Sequence, residues 1–563
     1  MNRIMIVCLA CVCLWCSGFK ECGYPEPDQN FCKPGTYRDC YCDDGSSGIQ
    51  YCGENGKYWL DCDCLNAYED ALIDSGPDAD NDTDNDDDAD DDADDDGEKL
   101  IWALHAGGTG EDRGYDMAVT SDGTICITGF FHGQAAFGKD ADGEKYLQSA
   151  GARDMFLSCY SSEGDLLWAS RAGGTGKDFG MALVAPDDES LLVTGKFADT
   201  AIFGEGVDSV SLTEIGANDD VFIARYSTGG TLDWVRQTGG SATAHGWDIA
   251  VNEDGHYAVT GSFSETAVFG MGEDNETMLV PNGEHDVFTA KFNAQGELQW
   301  AKSIGGPEDD RGWDVEIAAD GSVYVTGYIA GDGVFTSDAP EETVHNAGGL
   351  SDIFIGMYEP DGTLAWIRCT GSADDFERID ESGRDIIVLE DSSAIFSGFF
   401  WSTARFSGNG NEEIELTSYG QRDTFLVRYF QNGTLDWALH AGGGMSESAA
   451  CLHSAGSGEF FTGGYFEDVA VFGKGGENET TLCSEGEQDA FFAMYDNDGS
   501  LIWARRTGGG GSEYVQDIDP APDNTIVISG FHTGNSVFGK GEGNETKIKS
   551  YGDYDIFLAR FGR

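Results

Sequence analysis

From residue 99 to the C-terminus the chain is built of short apolar runs separated by turns rich in Asp, Asn and Gly. In the first complete unit, Tyr115-Asp116-Met117-Ala118-Val119 alternates apolar with polar, and Ser121-Asp122-Gly123 turns the chain. Thr124 to Phe131 is then dense in β-branched and aromatic residues. After an excursion from His132 to Arg153, Met155 to Tyr160 and Leu166 to Arg171 flank the turn Ser162-Glu163-Gly164. Apolar runs bounded by such turns predict strands, four per unit, here called a to d. No stretch carries the 3.6-residue spacing of a long amphipathic helix, so the region reads as all-β.

The unit recurs. Strand d holds a tryptophan at Trp102, Trp168, Trp234, Trp300, Trp366, Trp437 and Trp503, in steps of 66 with one of 71. Strand b carries Gly129, Gly195, Gly261, Gly327, Gly398, Gly464 and Gly530 in the same register. Strand c opens on Asp-X-Phe at Asp154, Asp220, Asp286, Asp352, Asp423, Asp489 and Asp555. A fixed period of this size signals a repeat architecture in which each unit buries its apolar face against its neighbours. The last unit stops at strand c, Asp555 to Phe561, while a lone tryptophan strand, Lys99 to Ala106, precedes the first. If that strand completes the last unit, the ring closes at seven four-stranded blades and leaves no open edge. An open solenoid is the competing reading.

Gly107-Gly108-Thr109-Gly110-Glu111-Asp112-Arg113-Gly114-Tyr115-Asp116, Ser121-Asp122-Gly123 and Ile127-Thr128-Gly129 resemble the bacterial seven-bladed β-propeller repeat of secreted and surface proteins. The resemblance implies fold and implies no single chemistry. Phe222-Ile223-Ala224-Arg225-Tyr226 and Gly230-Thr231-Leu232-Asp233-Trp234 also resemble blades of quinone-cofactor dehydrogenases, whose usual eight blades count against that kinship.

Three segments precede the propeller of residues 99–563. Residues 1–18 have Arg3, an apolar run from Ile4 to Trp15 and then Cys16-Ser17-Gly18. The run is too short to span a bilayer and reads as a secretory signal, with bacterial lipidation of one of Cys8, Cys11, Cys13 and Cys16 an open alternative. Residues 19–68 hold Cys22, Cys32, Cys40, Cys42, Cys52, Cys62 and Cys64, the pattern of a disulfide-stapled module in an exported chain. Zinc is the weaker reading because the Cys-X-X-Cys knuckle is missing. Gly48-Ile49-Gln50-Tyr51-Cys52 and Trp59-Leu60-Asp61-Cys62-Asp63-Cys64 resemble a small cysteine-rich module of myxobacteria-like surface proteins. Residues 69–98 are an acidic linker, with 15 acidic residues and no base from 74 to 98. Such a run buries no core and self-repels into a spacer. Asp78, Asp80 and Asp82 offer calcium an oxygen-rich set without the Gly turn and distal bidentate carboxylate of a tight site.

The formal net charge is −70, and the propeller alone carries 76 acids against 27 bases, a net of −49. That field repels nucleic acid and anionic membranes, which excludes DNA or RNA as partner.

Blade topology places the b–c excursions and d–a connections on one face of the ring. The same face collects an acidic series before strand a: Asp112, Asp178, Asp310, Glu381, Glu447 and Glu513, with Ala244 the exception. Sevenfold repetition favours a structural role for these and for the Asp-X-Phe aspartates, pinning loop amides. The functional alternative is a cation site, with calcium the candidate at Asp112, Asp178, Asp310 and Glu381. The largest break in symmetry is the insertion Gly371 to Arg378, which makes Asp374, Asp375, Glu377, Arg378 and the following Trp401 the candidate binding residues. No nucleophile elbow, phosphate loop or metalloprotease motif occurs. The expectation is a monomeric, exported or lipid-anchored surface propeller that binds a protein or glycan through this face. The alternative is a polysaccharide hydrolase or lyase working at the central channel. Cys126 and Cys159, on adjacent strands b and c of one blade, are candidates to pair.

Overall fold

The computed structural model describes residues 99–563 except 139–142, 217, 241–242, 336–342, 372–380, 411, 457 and 563. Side chains 332–350 are not described, and nearer the N-terminus only three short strands are. Two compact units result, residues 1–91 and 92–563. In the first, Tyr37–Tyr41, Ser47–Tyr51 and Asp63–Cys64 form a three-stranded antiparallel sheet. The segment expected to be a signal, the acidic run with Asp78, Asp80 and Asp82, and any cysteine pairing expected in residues 19–68 lie outside the described residues.

The second unit is a seven-bladed β-propeller. Blade one runs through strands Arg113–Val119, Ile125–Phe131, Asp154–Tyr160 and Leu166–Gly174, in antiparallel order a-b-c-d. The a strands of blades two to seven are Phe179–Asp187, Ala244–Val251, Arg311–Ile317, Ser382–Val388, Glu447–Gly456 and Glu513–Pro520. Consecutive a strands touch around a complete circle, the seventh against the first, so they line the axis. Leu100–Gly108 pairs with Asp555–Phe561, Leu104 opposite Leu558. The N-terminal tryptophan strand therefore closes the ring as expected, and the open solenoid is excluded. Cys126 faces Cys159 across strands b and c, and the two are joined in a disulfide.

The repeated residues hold blade to blade. The indole N–H of Trp102, Trp168, Trp300, Trp366 and Trp437 donates to a c–d turn carbonyl of the next blade: Ser162, Thr228, Pro360, Gln431 and Asn497, at 2.7–3.1 Å. Asp-X-Phe aspartates accept loop amides, as from Ala150 to Asp154 and Tyr551 to Asp555, each at 3.0 Å. The first glycine of the pair closing strand d sits on these carboxylates: a Cβ at Gly239 would fall 2.3 Å from the Asp220 carboxyl carbon.

One feature departs from the four-stranded expectation. Each blade keeps its four-stranded core, but five of the seven sheets have six strands. The excursion of the following blade folds as a hairpin onto strand d. Thus Gln134–Phe137 and Lys145–Gln148 extend the seventh blade, with Gly107 opposite Ala136. In blades four and five the excursion instead continues strands b and c as one long hairpin, Val323–Phe335 with Thr343–Tyr358 and Ala394–Ser407 with Glu413–Tyr429. Those two blades have lost the glycine after the excursion phenylalanine. In the others Gly138, Gly204, Gly270, Gly473 and Gly539 adopt φ of 61–76°. Their left-handed backbone is open mainly to glycine.

Candidate functional site

Every a strand carries a β-bulge at the same place, between Gly114 and Asp116 in blade one and at the matching positions of the other six. The extra residue of a bulge is left unpaired and re-aimed. Here it is Tyr115, Met181, Trp247, Trp313, Arg384, Ala450 or Gln516, and all seven line one cavity of about 400 Å³ at the loop-face end of the channel. The residue after the bulge is Asp in five blades, and Asp116, Asp248, Asp314, Asp385 and Asp517 line the cavity floor. The same five form the roof of a second cavity of about 380 Å³ on the opposite side, which also holds Glu316, His453 and Asp519.

This ring of carboxylates stitches the axis together. Asp116 accepts the Leu183 amide at 2.5 Å, Asp248 that of Val315 at 3.0 Å, Asp385 that of Leu452 at 2.8 Å and Asp517 that of Met117 at 3.0 Å. Each bond joins neighbouring blades. Burial raises all five pKa values, and for Asp116, Asp314 and Asp385 neighbouring carboxylates add to it. Asp517 is pushed up to about 6, burial and Asp519 outweighing the opposing pull of His453. Like charges at one level of a narrow channel cannot all ionise, so the floor is partly protonated at neutral pH. Below it, burial and Asp248 raise Glu316 to about 8. Burial opposes charge on His453, but Asp519 at 2.6 Å, with Asp517 and Asp385, wins and lifts it to about 9.

The mouth above the ring is cationic and aromatic. Arg113 lies over Phe531 and Tyr554, Arg153 over Phe130, Lys196 over Phe179, Arg311 and Arg384 over Trp313, and Arg422 over Phe399 and Tyr465. Most of these cations are neutralised. Arg113 and Arg153 pair with Glu111, Lys196 with Asp219 at 2.7 Å, and Arg311 with Asp309 at 3.0 Å, while Arg422 donates to the Tyr465 hydroxyl. Arg384 differs: among the described residues it has stacking partners, Trp313 at 4.5 Å and Phe399 at 5.2 Å, and no ion pair. Burial, helped by the Arg422 and Arg311 guanidiniums, pulls its pKa down to about 10, which leaves it charged at neutral pH.

Of the residues singled out by sequence, none of the described ones lines this cavity. Asp374, Asp375, Glu377 and Arg378 lie outside the described residues. Trp401 lies within the long strand Ala394–Ser407 of blade five, beside its register shift, its amide donating to Glu381 at 3.3 Å. Asp112 accepts the Gly108 and His132 amides at 2.6 and 2.9 Å, Asp178 those of Gly174 and Ala198, and Asp310 those of Gly306 and Ala330. Burial raises each of the three to about 7. Their oxygens are taken up by backbone, and among the described residues no three His, Cys, Asp or Glu side chains gather as metal ligands. The bulge column is not announced by the periodicity; its signal in the sequence is a variable position followed by Asp in five of the seven blades.

No family model matches the chain. An uncharacterized WD repeat-containing protein of Acanthamoeba polyphaga mimivirus is 22% identical over 501 residues, covering 77% of this chain and 36% of that protein. The regulatory protein FlaEY of Caulobacter vibrioides is 25% identical over 250 residues, covering 42% of this chain and 25% of that one. The chain thus spans about a third and a quarter of their lengths. Among solved structures, Sqt1 of Chaetomium thermophilum is 9% identical, with 83% of this chain and 98% of that one covered and a TM-score of 0.36.

Proposed function

We propose that the protein is a binding propeller, exported and displayed at a cell surface, that engages a protein or glycan partner through the loop face. One observation carries the reading. The seven strand-a bulges, at equivalent positions of the repeat, present seven side chains of which only the two tryptophans match, and all converge on the mouth. Repetition builds the ring, whereas a recognition site must be asymmetric, and here the asymmetry is concentrated. A concave site with aromatic walls and a few convergent polar groups is the usual form of a small-ligand site. The disulfide between Cys126 and Cys159 and the cysteine-rich N-terminal segment support an oxidising compartment.

The test compares full-length protein with a Trp247→Ala/Trp313→Ala variant for binding to arrayed glycans and to envelope proteins of the producing cell. Binding that disappears in the variant but survives Asp122→Asn, at an a–b turn of the opposite face, supports the reading. Binding that depends on the a–b face, or turnover of the glycans, overturns it. Palmitate incorporation that vanishes with Cys16→Ser would establish anchoring.

A further inference from the structure

The seven bulge residues divide the mouth into two arcs. Tyr115, Met181, Trp247 and Trp313, from blades one to four, make an apolar and largely aromatic arc. Arg384, Ala450 and Gln516, from blades five to seven, make the other. Neighbouring cations are matched, Arg311 by Asp309 and Arg422 by the Tyr465 hydroxyl. Among the described residues Arg384 has no hydrogen bond or ion pair and Gln516 no hydrogen bond, although both line the cavity. The Arg384 guanidinium is held by its faces, at 4.5 Å from Trp313 and 5.2 Å from Phe399, which leaves its N–H edge for a ligand. The other six bulge positions carry larger side chains, so the methyl group of Ala450 leaves a gap between Arg384 and Gln516.

Each of these groups asks for a different partner. An unpaired guanidinium edge takes a carboxylate, planar and bidentate. A primary amide offers two donors and an acceptor at once, and its complement is another amide. An apolar arc takes a hydrocarbon side chain. A peptide C-terminus carries all three within one residue: the α-carboxylate, the preceding peptide amide and the side chain. A fatty or aryl acid lacks the amide and leaves Gln516 unmatched. A sugar brings several hydroxyl donors, but the floor has little to accept them with. Both carboxylate oxygens of Asp116, Asp385 and Asp517 already accept backbone amides. The propeller's net charge of −49 disfavours acidic residues behind the terminus and favours a neutral or basic tail.

We propose that the channel mouth captures the C-terminus of a partner protein, its α-carboxylate on Arg384, its last peptide amide on Gln516 and an apolar last side chain in the arc of Tyr115, Met181, Trp247 and Trp313. The assignment rests on the loop-face binding reading and narrows the partner to a protein with a free, apolar C-terminus. It is tested by calorimetric titration of the full-length protein with acetylated Gly/Lys hexapeptides ending in Phe, Leu or Val, as free acids and as C-terminal amides, and with glucuronate. At least one free acid should bind, and its amide about 10- to 100-fold more weakly, as loss of a charged hydrogen bond implies. Arg384→Gln should erase that preference and leave acid and amide equally weak, whereas a merely structural role would weaken both without changing their ratio. If Arg384→Gln disturbs folding, Ala450→Leu is the second probe. The equivalent positions of blades three and four hold Trp247 and Trp313, so the bulge accommodates a larger side chain. Filling the gap should remove peptide binding with the melting temperature unchanged. No binding of any free acid, equal binding of acid and amide, binding that survives Ala450→Leu, or glucuronate bound more tightly than the peptides overturns the proposal. Where the protein still retains an envelope partner through Trp247 and Trp313, such a failure overturns this assignment alone. Loss of both overturns the broader reading with it.

Discussion

Gly509 and Gly510 are neighbours in the chain with opposite surroundings. A Cβ at Gly509 would lie 2.3 Å from the Asn535 carbonyl oxygen, in the hairpin that the seventh blade lays on the sixth, whereas one at Gly510 meets open space. Gly509→Ala should therefore destabilise by about 1–3 kcal/mol, the range of overpacking, while Gly510→Ala should change little; paired thermal melts decide it. Trp300 gives a second comparison. Trp300→Phe removes the indole N–H bond to the Pro360 carbonyl at 3.1 Å and should cost about 1 kcal/mol beyond lost packing. If melts of Trp300→Phe match the wild type, the inter-blade role assigned to the tryptophan column is wrong. These columns were legible because each repeats one residue type for one physical reason. The bulge column that lines the mouth was not, since Tyr115, Met181, Trp247, Trp313, Arg384, Ala450 and Gln516 share only a position. A bulge is a backbone event that side-chain periodicity does not announce.

Strands and hairpins show the same division. Four strands per blade and closure by the N-terminal strand followed from alternation and from counting strands at the two ends. The excursions looked like long loops because their strands are three or four residues long, below what alternation resolves. What did mark them was the Phe-Gly step. In the five blades that keep the Phe-Gly step the hairpin folds onto the preceding blade, and in the two that lack it the excursion continues strands b and c. Deleting residues 100–106 from the full chain should leave Asp555–Phe561 as an open edge and the seventh blade three-stranded. Exposed edges pair with other chains, so the deletion should turn a monodisperse species into aggregates on size exclusion. A monomer with an unchanged melt would contradict closure.

For the whole molecule, acidity is distributed by depth. The surface carboxylates keep the propeller soluble, but the axis and the loop-face rim hold carboxyl groups that burial keeps protonated well above their ordinary range. Asp112, Asp178, Asp310 and Asp423 sit at about 7, Glu513 at about 7, Glu316 at about 8 and Glu447 at about 9. Each binds a proton in the folded state that it has released in the unfolded chain between about pH 4 and its folded pKa. Linkage then makes stability fall as pH rises through that window. His453, lifted to about 9 by Asp519, acts in the same direction, because its folded form holds a proton beyond the usual histidine range. His440 and His532, lowered by burial to about 4 and about 3, act oppositely, but only below the ordinary histidine pKa near 6.5. Above it nothing in this group offsets the carboxyls. Melting temperature should accordingly peak at mildly acidic pH and decline steadily from about pH 6 to about pH 9. The decline should shrink in Glu447→Gln, which keeps an uncharged hydrogen-bonding group beside the Gly443 amide, 3.1 Å from the native carboxylate. A melting temperature flat or rising over that range would mean the buried carboxyls ionise without penalty.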